Sequence, residues 1–410
     1  MPGQEQQEFN TRVWNNYYTP VLLQKAVFPL QDSLRPTRAE INLDNLSHNL
    51  QQFRAHLPSR TRVMAVVKAD AYGHGAVEIS RAALAAGADC LGVALWPEGK
   101  ALRRAGIKAP ILVFGTPPPE QASYFFRYNL TPTVYTLETA RELSREALRR
   151  GEEISLHVKV DTGMGRVGVF PFEKAVPFFG ELKSLPGLKV EGVYTHFAAA
   201  DEKEQDYTRS QIKAFQRVLA DLEGKGLRPP LCHTANSAAA MVYPEAWLDM
   251  VRLGISMYGH NPSAEVDWPI ILKPLLTLKS RIAFLKEVPA GTAVSYGCTY
   301  RTPGKALIAS IPLGYADGYS RLLSNRGQVL VRGQRAPVVG RVCMDQFLVR
   351  VDHIPGVRAG DEVVLYGRQG EEEITVEETA ALLGTINYEV LCAISCRVPR
   401  VYHGEGRQDI

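Results

Sequence analysis

From about Arg60 onward, short runs of aliphatic and β-branched residues alternate along the chain with longer amphipathic stretches. The apolar runs Val63–Val67, Cys90–Ala94, Ile111–Phe114, Thr131–Tyr135, Ile154–Val160, Val190–Tyr194, Leu231–His233 and Met250–Leu253 predict eight strands. Segments such as Ala76–Ala86 and Leu137–Arg150 have the spacing of helices between them. Eight β-then-α units in roughly two hundred residues fit a (β/α)8 TIM-type barrel better than an open doubly wound sheet, which usually has fewer strands and stands as the rival.

After Pro274 the rhythm changes. Leu278–Phe284, Ala306–Ile311, Gln328–Val331, Phe347–Val351 and Glu362–Leu365 are β-rich and separated by Gly and Pro turns. Phe347, Val349 and Val351 fall on one face of their strand and Leu348, Arg350 and Asp352 on the other, as expected when one face is buried. Two helices, near Thr375–Leu383 and Tyr388–Ser395, interrupt this part. The expected architecture is α/β: a barrel over residues 37–273, then a mainly β C-terminal domain over 274–410. Residues 1–36, rich in Gln and Asn and ending in Ser33-Leu34-Arg35-Pro36, read as an extension.

Composition narrows the function. A chain of 410 residues exceeds one hydrophobic core, and 45% hydrophobic with 22% charged residues excludes a disordered or fibrous protein. The net charge of +4 is small and no run of five Lys/Arg occurs, so no nucleic-acid partner is expected. The start, Met1 to Glu8, is polar and acidic, and no uncharged apolar run reaches bilayer length; no membrane association and a cytoplasmic location are expected. Cys90, Cys232, Cys298, Cys343, Cys392 and Cys396 lack paired CxxC spacing and read as reduced, mostly buried thiols. Cys392 and Cys396 would share one face of a helix, which is weak evidence for a metal, and no metal site is assigned.

The sharpest chemical feature is AVVKADAYGHG, where an apolar strand ends at Lys68 and enters a Gly-flanked loop with Tyr72 and His74. At the C-terminal end of the first barrel strand, Lys68 points into the mouth where active sites of this fold lie. Burial there depresses its pKa and leaves a neutral amine able to form a Schiff base, whereas a lone lysine beyond a strand is ordinarily solvated. HTANSAAAM supplies N-caps, Asn236 and Ser237, for an Ala-rich helix, and VRLGISMYG places Gly254 where a backbone can approach an anion. In HVKVDTGMGRVG, His157, Lys159 and Asp161 share one parity; if it faces the barrel interior, Lys159 is an unfavourable buried cation beside Arg166.

These separated motifs, with VYTHFA, VSYGCTY, GYADG, GRVCMDQ and INYEVLC, resemble the alanine racemase family over roughly residues 37–402. The resemblance implies pyridoxal 5'-phosphate bound at Lys68, with Tyr72, Ser237, Gly254, Ile255 and Tyr388 around its phosphate. It implies Arg252 against the ring nitrogen, Arg166 against the phenolic oxygen and the substrate, and a carbamate on Lys159. Lys68 and Tyr296 become the two bases on opposite faces of the substrate α-carbon, Tyr296 coming from the partner subunit of a homodimer and linked to Arg252 through His196. Met344 offers its N–H to the substrate carboxylate, while Tyr315, Arg341, Asp345 and Tyr388 line the entrance. Because an arginine cannot become the carboxylate that holds a pyridinium, the ring is a weaker electron sink and proton return to the same carbon is favoured over transamination.

The implied activity is interconversion of L-alanine and D-alanine, supplying D-alanine for peptidoglycan. Broader-specificity or serine racemases of similar architecture remain alternatives, because no single residue here excludes serine. A decarboxylase of the same fold is expected to place a carboxylate and a cysteine where Arg252 and Tyr296 stand, although Cys298 lies two residues from Tyr296. A cofactor carrier made of a barrel alone would lack the region containing Tyr296 and Met344.

Overall fold

The computed structural model describes residues 35–404; residues 1–34 of the expected extension lie outside the described part. The first strand, β1 (Arg38–Asn42), leads directly into a helix, Leu43–His56, whose N-cap Asn42 accepts from Asn45 N–H at 3.0 Å. Eight parallel strands follow: β2 (Arg62–Val66), β3 (Cys90–Val93), β4 (Ile111–Val113), β5 (Thr131–Val134), β6 (Ile154–Lys159), β7 (Leu188–Tyr194), β8 (Leu231–His233) and β9 (Met250–Leu253). They pair in the order β8-β7-β6-β5-β4-β3-β2-β9. Asp249 N–H donates to Cys232 O at 3.1 Å and Arg252 N–H to Ala235 O at 3.0 Å, bringing β9 back against β8 and closing the (β/α)8 barrel. The apolar runs are nearly continuous because helices cover the outside while side chains fill the inside: Val63, Met64, Ala65 and Val66 of β2 are all buried.

The rest is mainly β: β10 (Leu276–Arg281), β11 (Phe284–Val288), β12 (Ala293–Val294), β13 (Tyr300–Arg301), β14 (Ala306–Ile311), β15 (Gln328–Val331), β16 (Gln334–Pro337), β17 (Phe347–Arg350), β18 (Glu362–Gln369), β19 (Glu372–Ile374) and β20 (Arg400–His403). One sheet runs β16-β15-β18-β10-β1-β20 with β19 added to β18, a second is β11-β14-β17, and β12 pairs with β13. The barrel followed by a mainly β region is the fold read from the sequence. Among the described residues, no helix is long and apolar enough to cross a membrane.

Three local expectations change. The run Leu278–Phe284 is two strands, because the chain leaves one sheet and enters another at Ile282 and Ala283, whose N–H groups donate to Asp361 O and Ser310 O. β1 was not anticipated. It lies between β10 and β20 with Ala39 and Ile41 fully buried, while outward-facing Glu40 accepts from Arg38 and pairs with Lys279 at 3.0 Å. The thiols are less buried than expected: Cys298, Cys392 and Cys396 are exposed, and the helix ends at Cys392, so Cys396 does not share its face.

A buried carboxylate ties the start of the described chain to the β region. Both oxygens of Asp317, whose side chain is fully buried, accept from Arg35 at 2.8 and 2.7 Å, and Oδ2 also accepts from Gly314 N–H at 3.0 Å. Arg397 approaches it at 3.4 Å and also pairs with Asp345 at 2.7 Å. Removing the carboxylate leaves the buried Gly314 N–H without its acceptor and takes the shared partner from the partly exposed Arg35 and Arg397. Asp317→Ala is therefore expected to lower the free energy of unfolding by about 2 kcal/mol. Urea denaturation checks this, and a loss below about 0.5 kcal/mol contradicts it.

Candidate active site

β2 delivers Lys68 to the barrel mouth, and the backbone then does something the sequence reading did not foresee. Ala69, Asp70, Ala71 and Tyr72 all have φ near +53°, forming one turn of left-handed helix closed by Ala71 N–H to Val67 O and Gly73 N–H to Ala69 O, each 3.0 Å. Such a turn costs roughly 1–2 kcal/mol per residue for L-amino acids, so outside contacts must impose it. Glu98 accepts from Ala69 N–H at 2.7 Å, Asp70 caps Ala76 N–H at 2.7 Å, and Arg400 and Tyr402 of β20 donate to Gly73 O and His74 O at 2.9 and 3.0 Å. Gly73 is required because a Cβ there would lie 2.5 Å from Leu391 O. Tyr72 is thereby turned inward beside Lys68, whose Nζ lies 5.9 Å from the Tyr72 ring centroid and makes no hydrogen bond or ion pair among the described residues.

The mouth encloses a cavity of ≈ 450 Å³ walled by Lys68, Lys159, Arg166 and Arg252, with Asp201 its one carboxylate among the described residues. Burial and the Arg166 charge pull the Lys68 pKa down. Burial, then Arg166 and Arg252, pull Lys159, only 4% exposed, down to about 8. Lys159 lines the cavity and His157 bonds His233, while Val158 and Val160 join the hydrophobic core; Asp161 is buried and accepts from Gly163 and Gly165 N–H at 2.9 and 3.1 Å.

Arg252 is buried at the end of β9 and pairs with no carboxylate among the described residues. Its Nη2 donates to Thr195 O and Thr234 O, both at 2.8 Å, and to His196 Nδ1 at 3.2 Å; its Nη1 donates to His233 Nδ1 at 2.9 Å. A guanidinium can only donate, so both imidazoles accept on Nδ1 and carry their proton on Nε2. His233 Nε2 then donates to His157 Nδ1 at 2.9 Å. Tyr194 stacks on His233, with ring centroids 4.8 Å apart, and lies under Arg252. Burial holds His157, His196 and His233 well below the usual imidazole range, with Arg252 adding to it, so all three are neutral. Burial also lowers the pKa of Arg252 to about 10, which leaves it charged at neutral pH.

The same cavity is lined by groups able to hold an anion. Ser237 opens the helix Ser237–Val242, capped by Asn236, which accepts from Ala239 N–H at 3.0 Å. Gly254 N–H donates to Ser237 Oγ at 2.8 Å, and a Cβ on Gly254 would stand 2.6 Å from Tyr72 Oη. Ile255 starts a short helical turn, and Tyr388 lies 6.0 Å from Tyr72, centroid to centroid. First-turn N–H groups, hydroxyls and unpaired cations suit an aldehyde cofactor bearing a phosphate. Arg252 lines the same cavity, and its Nε makes no hydrogen bond among the described residues.

The structure thus gathers Lys68, Tyr72, Lys159, Arg166, His196, Ser237, Arg252, Gly254, Ile255 and Tyr388 around one cavity. Tyr296, 69% exposed, and Met344, 53% exposed, line a separate cleft with Asp345 on the β region. Arg341 lies against Gly297 beside that cleft, and Tyr315 is held to it because its N–H donates to Cys343 O at 3.0 Å. Sequence reading missed Glu98, Tyr194 and the support of Arg252 by His233 and His157. Only the alternation in HVK offered a signal, since a residue that acts across the barrel leaves no local pattern.

A mouth-facing amine among cations, groups able to hold an anion and an added β region describe a barrel protein with a cavity suited to an anionic ligand. Residues 41–262 match the alanine racemase N-terminal domain and 275–402 its C-terminal domain. An alanine racemase of Desulforamulus reducens is 52% identical over 370 residues, spanning 90% of this chain and 99% of that protein. The structure of alanine racemase from Bacillus anthracis with bound L-Ala-P aligns with a TM-score of 0.87 at 41% identity, over 91% of this chain and 96% of that one. A histidine racemase from Leuconostoc mesenteroides aligns at 0.84 with 32% identity, over 91% and 99%. The chain belongs to the alanine racemase family.

The neutral imidazoles set an acid limit. Below about pH 6.5 the unfolded chain protonates these histidines while the folded chain does not, so the unfolded state binds more protons and stability falls as pH falls. For His157 the window extends down to about 3. Each such group contributes a slope of up to about 1.4 kcal/mol per pH unit. Urea denaturation between pH 6.5 and 4.5 is expected to show this loss, with a shallower slope in His157→Gln; an unchanged slope in that variant contradicts the assignment.

Proposed function

We propose that the protein is an alanine racemase that interconverts L-alanine and D-alanine using pyridoxal phosphate held in the barrel mouth. The observation that carries this reading is Lys68: an amine without a hydrogen-bond partner among the described residues, set among three further cations around groups able to hold an anion. Tyr72, Ser237, Gly254, Ile255 and Tyr388 hold the phosphate, Arg252 meets the ring nitrogen, and Arg166 meets the phenolic oxygen and the substrate. When bound, the cofactor aldehyde raises the acidity of the substrate α-hydrogen.

Lys68 serves one face of the α-carbon. Burial and Arg166 weaken its hold on a proton, so the amine can take one and return it near neutral pH. Arg252 stays protonated and donates, which limits electron withdrawal through the ring and favours proton return to the same carbon. Tyr296 serves the opposite face from the partner subunit, so two chains share each site. That reading is supported by Tyr296 and Met344 being exposed together in a cleft apart from their own Lys68. His196, with its proton on Nε2, links the tyrosine to Arg252, and Met344 N–H binds the substrate carboxylate. Tyr315, Arg341, Asp345 and Tyr388 form an entrance suited to small side chains, and the product D-alanine feeds peptidoglycan synthesis in the cytoplasm.

Incubation with L-alanine is expected to lose optical rotation without releasing carbon dioxide, and L-serine and L-histidine to react more slowly. Gas evolution from a basic amino acid overturns the reading in favour of a decarboxylase, and preference for another amino acid overturns the substrate. Lys68→Ala is expected to abolish activity and the visible absorbance of the loaded protein. Tyr296→Phe is expected to slow proton removal from L-alanine about 10²-fold or more, with a smaller effect from D-alanine. Equal loss in both directions in single turnovers contradicts the assignment of faces.

Lys159 completes the site as a carbamate. With its pKa near about 8 the amine is partly neutral at physiological pH, so it can add carbon dioxide and release a proton, replacing a buried cation by an anion beside Arg166. Crystal density is expected to show three added atoms at Nζ; a bare ammonium refutes the modification.

A further inference from the structure

We propose that Glu98 is a positioning residue for Lys68, its carboxylate fixing the peptide that follows the lysine and so aiming the amine into the cavity. This rests on Lys68 being the reacting amine of the racemase proposed above. Glu98 is the third residue of the helix Trp96–Arg104, and its Oε2 accepts from Ala94 N–H at 2.8 Å and Leu95 N–H at 2.9 Å. Those two bonds close the helix start and the end of β3, which is all that capping requires. The other oxygen is not spent on the helix. Oε1 reaches across to the tip of β2 and accepts from Ala69 N–H at 2.7 Å.

Ala69 is the first residue of the left-handed turn, so this bond falls where the backbone departs from its preferred region. On the other side of Lys68, Val67 N–H is held by Gly92 O at 2.8 Å. The lysine is thus clamped on both sides, while its side chain has no hydrogen bond among the described residues to aim it. The clamp also carries charge. Burial and the Arg166 charge lower the Lys68 pKa, and Glu98 opposes them in part, so the carboxylate that fixes the peptide after the lysine also favours its ammonium.

A helix cap alone predicts that a folded Glu98→Gln variant leaves Lys68 unchanged, whereas a positioning carboxylate predicts that it does not. The test uses the full-length chain, cleared of bound aldehyde by dialysis against hydroxylamine, with Lys68 acetylation followed across pH by peptide mass. In Glu98→Gln the pH midpoint of acetylation is expected to fall by about half a unit or more, because an anion that favoured the ammonium is gone. In the reloaded enzyme, kcat for alanine is expected to fall about tenfold or more, with KM changing less than about threefold. Glu98→Asp keeps the charge but is one carbon short of Ala69, so its midpoint stays near that of the parent while kcat falls.

A folded Glu98→Gln protein with the parent's midpoint and kcat overturns the proposal. If that variant does not fold, Glu98→Asp decides: parental kcat overturns the proposal, and a reduced kcat with the parental midpoint supports it. Should the parent fail to racemise alanine, the proposed function falls, while the shift in acetylation midpoint still judges the coupling of Glu98 to Lys68.

Discussion

A guanidinium buried without a carboxylate must find enough neutral acceptors, and the barrel is organised around meeting that demand at Arg252. Two carbonyls, from Thr195 and Thr234, and two imidazoles, His196 and His233, surround it. Those acceptors follow β7 and β8 or end β8, so the same contacts that satisfy the charge draw together the last three barrel strands. The constraint also reaches the protons. Because arginine never accepts, each histidine has a determined tautomer, and the network is ordered down to His157. A carboxylate in place of the imidazoles would neutralise the charge; neutral rings leave it directed at the cavity.

Strands buried on both faces announce themselves as apolar runs, and the eight barrel strands were legible for that reason. A residue projecting from a strand end could be placed at the mouth, as Lys68 was, whereas Ser237 and Arg252 were assigned to the same site through the family resemblance; all three line one cavity. What the pattern could not carry was anything set by partners distant in the chain. β1 has the mixed composition Arg-Ala-Glu-Ile-Asn, and only its seating between β10 and β20 makes it a strand. The left-handed turn after Lys68 has no preference for its conformation in Ala69 or Ala71; Glu98, Arg400 and Tyr402 impose it. Glu98 itself follows Leu95, which has no capping oxygen, so the familiar spacing of a capped helix start is missing.

The barrel mouth and the β region divide the chemistry unequally. Cations and anion-binding backbone collect in the first, while the second offers an exposed phenol and an open loop tied to buried Asp317 through Gly314 and Arg397. Rigidity is spent differently in the two places. Around Lys68 it holds a conformation the chain would otherwise leave, and around Met344 it supports an exposed cleft.

The seating of β1 also bears on modularity. A fragment cut at the barrel's end would carry β10 and β20 without the strand that joins them, leaving two raw sheet edges open to pairing with any other extended chain. The C-terminal region is therefore not an exchangeable cassette. Grafting or split-protein reassembly would have to supply the segment 38–42 from the other piece, and a lineage that inherited this region alone would have inherited an unfinished sheet.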